Sequence, residues 1–261
     1  MEGGTACFVS PSIQLSAKPY SHRMDHFQLP IGGFIRQSLI DYSGNIASVI
    51  FLSGCNMRCY YCHNPQLVLP RLIKNNSHIP VDEVIAWIEK NAGLLDAVVI
   101  TGGEPTLHPS LPDFLRFLKR FSLSIKLDTN GTNSRMLEYL IGNRLIDYVA
   151  MDIKAPLCLE KYREICGPTF TEQQLQEIKK SVELLINGGV DYEFRTTLNA
   201  SLSLSDIQEI VSTIKGRYYL QMPNDNNGTV LNPLRMGKVA LDISCVPDLV
   251  GSIQQVTVEV R

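Results

Sequence analysis

Cys55, Cys59 and Cys62 fall in the run Gly54-Cys55-Asn56-Met57-Arg58-Cys59-Tyr60-Tyr61-Cys62-His63-Asn64-Pro65, a C-x3-C-x2-C spacing. Four-iron clusters are usually held by four thiolates. Three thiolates on one tight loop would hold three irons and leave the fourth without a protein ligand, and an open metal position is a place for chemistry. The same residues admit plainer readings. Cys55, Cys59, Cys62 and His63 could close a Cys3His zinc site, although the adjacent pair Cys62 and His63 is awkward for one tetrahedral ion. They could also be structural cysteines that bind no metal.

The elements around this loop follow a regular order. Ile46 to Leu52 is nearly all apolar, as in a strand buried on both faces, and the cysteines follow it directly. Val84, Ile85, Trp87 and Ile88 form a helical stripe within Val81 to Asn91. Ala97 to Thr101 is a second buried strand that ends in Gly102-Gly103-Glu104-Pro105, and Leu111, Phe114, Leu115 and Leu118 mark the next helix. Ser124 to Thr129 gives a strand ending in Asp128-Thr129-Asn130-Gly131, followed by a helix over Asn133 to Leu140. Tyr148 to Ile153 is a strand ending in Asp152-Ile153-Lys154. Thr171 and Gln174 make a capping-box pair for a helix that stops at Asn187-Gly188-Gly189. Tyr192 to Leu198, a strand, carries Arg195; Ser205 and Gln208 cap a helix ending at Gly216; Tyr218 to Met222 and Val256 to Val260 are further strands.

Strand and helix alternating without break imply right-handed crossovers and a parallel sheet, hence an α/β fold. Six such units are too few for a closed eight-fold barrel, so an open, partial (β/α)6 barrel is expected over residues 28–223. Residues 1–27 form a short irregular arm, and residues 224–261 an extension that ends in a strand. The polar motifs all sit at C-terminal strand ends, where barrels of this kind keep their active sites.

Bulk properties exclude other classes. The 261 residues carry a formal charge of −2, which gives no case for nucleic-acid binding, and no long apolar run predicts a membrane span. The N-terminus lacks the apolar region of a signal peptide. Seven cysteines, an odd number in a long chain, argue against a disulfide framework and for a reducing cytoplasm. Cys7, Cys158, Cys166 and Cys245 are scattered and read as buried small hydrophobes, so one cluster is the ceiling. No Gly-x-Ser-x-Gly elbow is present, and hydrolase chemistry has no support.

The cysteine loop followed by Gly102-Gly103-Glu104-Pro105 resembles the radical S-adenosylmethionine (SAM) superfamily, and Tyr61-Cys62-His63-Asn64-Pro65 narrows the likeness to glycyl-radical-enzyme activases. Ser38-Leu39-Ile40-Asp41-Tyr42, Lys126-Leu127-Asp128-Thr129-Asn130-Gly131 and Met151-Asp152-Ile153-Lys154-Ala155-Pro156 look closest to activating proteins of anaerobic ribonucleoside-triphosphate reductase. The likeness runs from about Ile31 to Met222. Ser43 stands where many relatives have proline, and Gln221-Met222-Pro223-Asn224-Asp225 departs from the pattern after the last strand.

The resemblance implies that Cys55, Cys59 and Cys62 hold a [4Fe–4S] cluster whose unique iron chelates the amino and carboxylate groups of SAM. Tyr61 and His63 would border the adenine, and Gly102 and Gly103 the methionine amino group; Glu104 would be a further cofactor contact, or else a helix N-terminal charge. Asp128 and Asp152 would help to hold a monovalent cation beside the SAM carboxylate, with Thr129 assisting; Asn130 would be a further SAM-site residue, and Lys154 would supply charge. Arg195 would touch SAM or the substrate backbone, or make a structural ion pair. An electron from flavodoxin or ferredoxin would split SAM into methionine and a 5′-deoxyadenosyl radical, which takes a hydrogen from a glycine Cα of a partner enzyme. The rival readings are a radical SAM enzyme acting on a small molecule or peptide, and a non-enzymatic zinc module.

Overall fold

The computed structural model describes residues 27–223, 231–232 and 256–260. Eight strands form a single sheet in sequence order: β1 (Ile31–Ser38), β2 (Ala47–Leu52), β3 (Ala97–Gly102), β4 (Ser124–Thr129), β5 (Tyr148–Asp152), β6 (Asp191–Thr197), β7 (Gly216–Gln221) and β8 (Val256–Val260). β1 runs antiparallel to β2, and every later neighbour is parallel. Parallel neighbours need crossovers. These are supplied by α1 (Pro65–Val68), α2 (Pro70–Ile73), α3 (Val81–Asn91), α4 (Leu111–Leu118), α5 (Ser134–Gly142), α6 (Leu159–Cys166), α7 (Glu172–Asn187) and α8 (Leu204–Thr213). The sheet holds more strands than the six expected units, yet the edges β1 and β8 are not neighbours in it, so the barrel is open as expected.

The strands read as apolar runs because both faces are buried. In β2 and β3, Ile50, Leu52, Val98 and Ile100 pack into the large helix-side core, whereas Ala47, Val49, Ala97 and Val99 form a separate cluster on the opposite, concave face. The period-2 alternation of strand side chains does this sorting. Farther along the sheet the same concave face turns polar, and Asp152 sits directly beside Arg195 in the β5–β6 register. The strand ends therefore carry charge where the first strands carry carbon.

The sequence reading and the structure differ in several places. The capping box of α8 is Ser203 with Asp206, two residues earlier than the expected Ser205 and Gln208, and the helix ends at Thr213. Ser203 wins because the buried Asp206 Oδ2 both accepts from its hydroxyl and meets the Lys161 ammonium at 3.0 Å. β1 was not anticipated, since its Gly32-Gly33 pair weakens the strand pattern. Nor was α6, a short helix between Pro156 and Gly167-Pro168 whose stripe is Tyr162, Ile165 and Cys166. The capping box of α7 is present as expected. The expected irregular arm lies outside the described residues except for Phe27, which packs its ring on Phe114 at 5.6 Å. Cys7, Cys245 and most of the expected C-terminal extension also lie outside them. Among the described residues, no helix is long and apolar enough to cross a membrane.

Candidate active site

The cysteine loop leaves the C-terminal end of β2 and is pinned from three directions. Arg58 N–H donates to the carbonyl of Cys166 at 2.8 Å and Tyr60 N–H to that of Ile165 at 3.2 Å, so the last turn of α6 grips the loop on both sides of Cys59. Asn130 Nδ2 donates to Asn56 Oδ1 at 3.0 Å, and Asn56 Nδ2 donates to Thr132 Oγ1 at 2.8 Å, tying the loop to the end of β4. From the far end of the chain, Leu231 N–H reaches Cys62 O at 3.1 Å and Asn232 N–H reaches Tyr60 O at 2.9 Å. Arg58 folds back on its own turn, its guanidinium donating to Cys55 O and Met57 O, each at 2.7 Å.

The Gly102-Gly103 pair is explained by backbone crowding. Gly102 has φ +119°, and a Cβ there would lie 2.4 Å from the Leu52 backbone. A Cβ on Gly103 would lie 2.0 Å from the Gly54 carbonyl oxygen. Gly103 N–H and Glu104 N–H donate to Leu52 O and Gly54 O, each at 2.7 Å. The glycines thus let the β3 end slide under the start of the cysteine loop, an approach that any side chain would block.

Glu104 is fully buried. Its Oε1 accepts from Thr106 N at 3.1 Å, Thr106 Oγ1 at 2.5 Å and Thr129 Oγ1 at 2.7 Å, and its Oε2 from Asn130 N at 2.6 Å. Burial pushes its acidity down and raises its pKa, against the pull of these donors. The carboxylate clamps the ends of β3 and β4 together and does not line the cavity, alone among the expected site residues.

Charge is concentrated across the mouth. Arg195 Nε donates to Asp152 Oδ1 at 2.9 Å and its NH1 to Asp128 Oδ2 at 3.4 Å; Lys154 Nζ donates to Asp152 Oδ2 at 2.7 Å. Lys126 Nζ stands 3.7 Å from Asp128 Oδ1. Burial alone would raise the pKa of Asp152, but the Arg195 and Lys154 cations outweigh it and hold the group at about 2. The sequence left Arg195 between a ligand contact and an ion pair; it makes the ion pair and also lines the cavity.

One cavity at the C-terminal strand ends gathers Cys55, Cys59, Cys62, Tyr61, His63, Gly102, Gly103, Asp128, Thr129, Asn130, Asp152, Lys154 and Arg195. Sequence reasoning missed Thr197 and Gln221 at the ends of β6 and β7, where position at a strand end was the available signal. Burial pushes the Cys55 thiol up to about 12, and it raises Cys62 as well. The hydrogen bond shared with Cys166 pulls Cys59 the other way. Cys166 is buried, as the sequence suggested, but its sulfur lies 3.6 Å from that of Cys59 across 107 residues of chain, a proximity that spacing could not reveal.

This architecture defines a class: a partial barrel whose reactive groups all sit at the parallel strands' C-terminal ends. Comparison with known proteins takes the assignment further. Residues 49–214 match the model of the Radical SAM superfamily. A protein of Methanocaldococcus jannaschii, whose name assigns it to glycyl-radical enzyme activation, is 36% identical over 71% of this chain and 75% of its own length. A protein of Pyrococcus horikoshii, named for GTP 3',8-cyclase activity, is 28% identical over 56% of this chain, and the chain spans under half of it, 46%. The solved structure of SuiB from Streptococcus suis, bound to S-adenosylmethionine, superposes with a TM-score of 0.57 at 15% identity, covering 81% of this chain. The chain spans about half, 51%, of that structure, and the likeness is one of fold. The chain belongs to the radical SAM superfamily.

The family implies a [4Fe–4S] cluster and SAM, and the residues fit both. Three thiols face one cavity, while among the described residues no three His, Cys, Asp or Glu side chains converge on a single ion. The Tyr61 hydroxyl and Asp128 Oδ1, on residues that line that cavity, are buried without a hydrogen-bond partner, although the Lys126 ammonium stands 3.7 Å from the latter. Such atoms are costly to leave unsatisfied and suit a polar ligand.

Proposed function

We propose that this enzyme activates a glycyl-radical enzyme, and that its partner is an anaerobic ribonucleoside-triphosphate reductase. The observation that carries the reading is the convergence of three thiols, the Gly102-Gly103 turn and the Asp152–Arg195–Lys154 charge set on one cavity. Cys55, Cys59 and Cys62 would hold the cluster, which supplies one-electron cleavage of SAM to a 5′-deoxyadenosyl radical. Gly102 and Gly103 would present backbone to the methionine amino group, and Tyr61 and His63 would border the adenine. The ammonium of Lys154 and the guanidinium of Arg195 would receive the SAM carboxylate; Asp152 keeps the first charged despite its burial, and Asp128 with Asp152 the second. A monovalent cation beside Asp128 and Asp152 belongs to the same reading; Arg195 already bridges these carboxylates, so the ion would share their charge with the guanidinium.

A glycine Cα is a fitting hydrogen donor because no side chain hinders approach and its loop bends readily. Flavodoxin or ferredoxin would deliver the electron, in a reducing cytoplasm. The rival is a radical SAM enzyme acting on a small molecule, favoured by relatives named for GTP 3',8-cyclase activity. The activase reading is preferred because the match to the relative named for activation spans 75% of that protein, against 46% for the cyclase. The test is anaerobic incubation with SAM, dithionite and a candidate reductase, read by electron paramagnetic resonance. A glycyl doublet on the reductase is the expected result. SAM cleavage without a doublet on any reductase offered would transfer the assignment to the small-molecule reading.

A further inference from the structure

Cys166 ends α6 and is 1% exposed, and it is not among the residues lining the cavity. Its Sγ lies 3.6 Å from Cys59 Sγ, a contact buried between the cysteine loop and α6. The contact is fixed by the chain on both sides, because the N–H groups of Arg58 and Tyr60 bond the carbonyls of Cys166 and Ile165. Gly167 completes the fit: a Cβ there would stand 3.3 Å from Arg58 Cβ. None of the cysteine-loop pattern requires this residue.

A metal-bound cysteine is a thiolate and has no proton to give. In a sulfur–sulfur contact of this length, Cys166 is then the only possible donor. We infer that Cys166 is a positioning residue that donates its S–H to the Cys59 sulfur and raises the reduction potential of the cluster held by the loop, an inference that rests on the cluster reading above. Reduction adds negative charge that spreads onto the ligand sulfurs, and a donor at one of them favours the reduced form. Cys55 has a comparable donor, the Met57 N–H at 3.4 Å from its sulfur. Cys59 obtains its own from a different element, so α6 sets both the place and the electronics of the middle ligand.

The test is an anaerobic redox titration of the cluster, followed by electron paramagnetic resonance, in the wild type, Cys166→Ala and Cys166→Ser. All three should carry the same iron and sulfide. In Cys166→Ala the reduced-to-oxidised ratio at a fixed potential should fall about fivefold, about 40 mV at 59 mV per tenfold change. Cys166→Ser, which keeps a donor, should stay within about twofold of the wild type. If the alanine variant does not fold, Cys166→Val fills the space without a donor and should show the same fall. An unchanged potential in the donor-less variant overturns the inference. So does a serine variant that follows alanine, which would indicate packing, or loss of iron in every variant, which would make Cys166 a ligand. Wild-type protein that takes up no iron and sulfide would instead defeat the cluster reading itself.

Discussion

Cys59→Ala is expected to bring 5′-deoxyadenosine production from SAM and dithionite below detection while leaving the fold in place. Cys59 is the middle thiol of the loop and faces the cavity with Cys55 and Cys62. Without it, two thiolates remain for a cluster that needs three from the protein if the fourth iron is to stay open. The loop itself should survive, because its shape rests on main-chain bonds. Cys62 N–H donates to Cys59 O at 3.0 Å, and the flanking N–H groups of Arg58 and Tyr60 stay on α6; alanine keeps all of these. Circular dichroism and thermal unfolding of the metal-free protein should therefore match the wild type to within about 1–2 kcal/mol, the ordinary range for a small buried truncation. Cys158→Ala is the control: Cys158 precedes α6, is half-buried and does not line the cavity, so activity should be retained. Undiminished 5′-deoxyadenosine from Cys59→Ala would contradict the role given to this thiol.

Arg195→Met is expected to cost about 3 kcal/mol of stability, because removing one partner from a buried ion pair strands the other. The side chain is 12% exposed and bridges Asp152 and Asp128. Lys154 and Lys126 remain near those carboxylates and keep the loss toward the lower end of the range. The midpoint of thermal unfolding of the metal-free protein should fall by roughly 6–10 °C at pH 7. The sign of the pH dependence follows from Asp152. Its pKa in the folded protein is about 2, below its ordinary value of 3.8, so its stabilising contribution is present above pH 4 and is lost as pH falls through 2. The gap between variant and wild type should thus be full at neutral pH and narrow in acid. SAM binding should weaken alongside, since the guanidinium lines the cavity. A variant that melts within 2 °C of the wild type at pH 7 would mean that the ion pair is idle.

Much of this site was legible because the chemistry sits at the ends of strands whose apolar runs are unmistakable. Ala97 to Thr101 and Ser124 to Thr129 need no tertiary information to be read as strands, and the motifs that follow them fall at the same end of a parallel sheet. What was not legible depends on contacts between distant parts of the chain. Gly103 lines the cavity as its motif suggests, but the close approach of the Gly54 carbonyl, which also demands a glycine there, could not be read from the sequence. Glu104 reads as a cofactor contact or a helix N-terminal charge, and it takes the second role, its carboxylate accepting from Thr106, Thr129 and Asn130. α6 escaped notice because eight residues between proline and glycine give too few turns for periodicity to register, and with it went the pairing of Cys166 with Cys59. A strand's ends can be read from one dimension; what packs behind a loop cannot.

The most direct measurement is the electron paramagnetic resonance spectrum of anaerobically reconstituted, dithionite-reduced protein, recorded before and after SAM is added. A vacancy on one iron should admit the amino and carboxylate groups of SAM, so the cluster signal should shift in its g values and line shape on addition. A spectrum indifferent to saturating SAM, or protein that retains zinc in place of iron and sulfide, would contradict the three-thiol site at the root of this account.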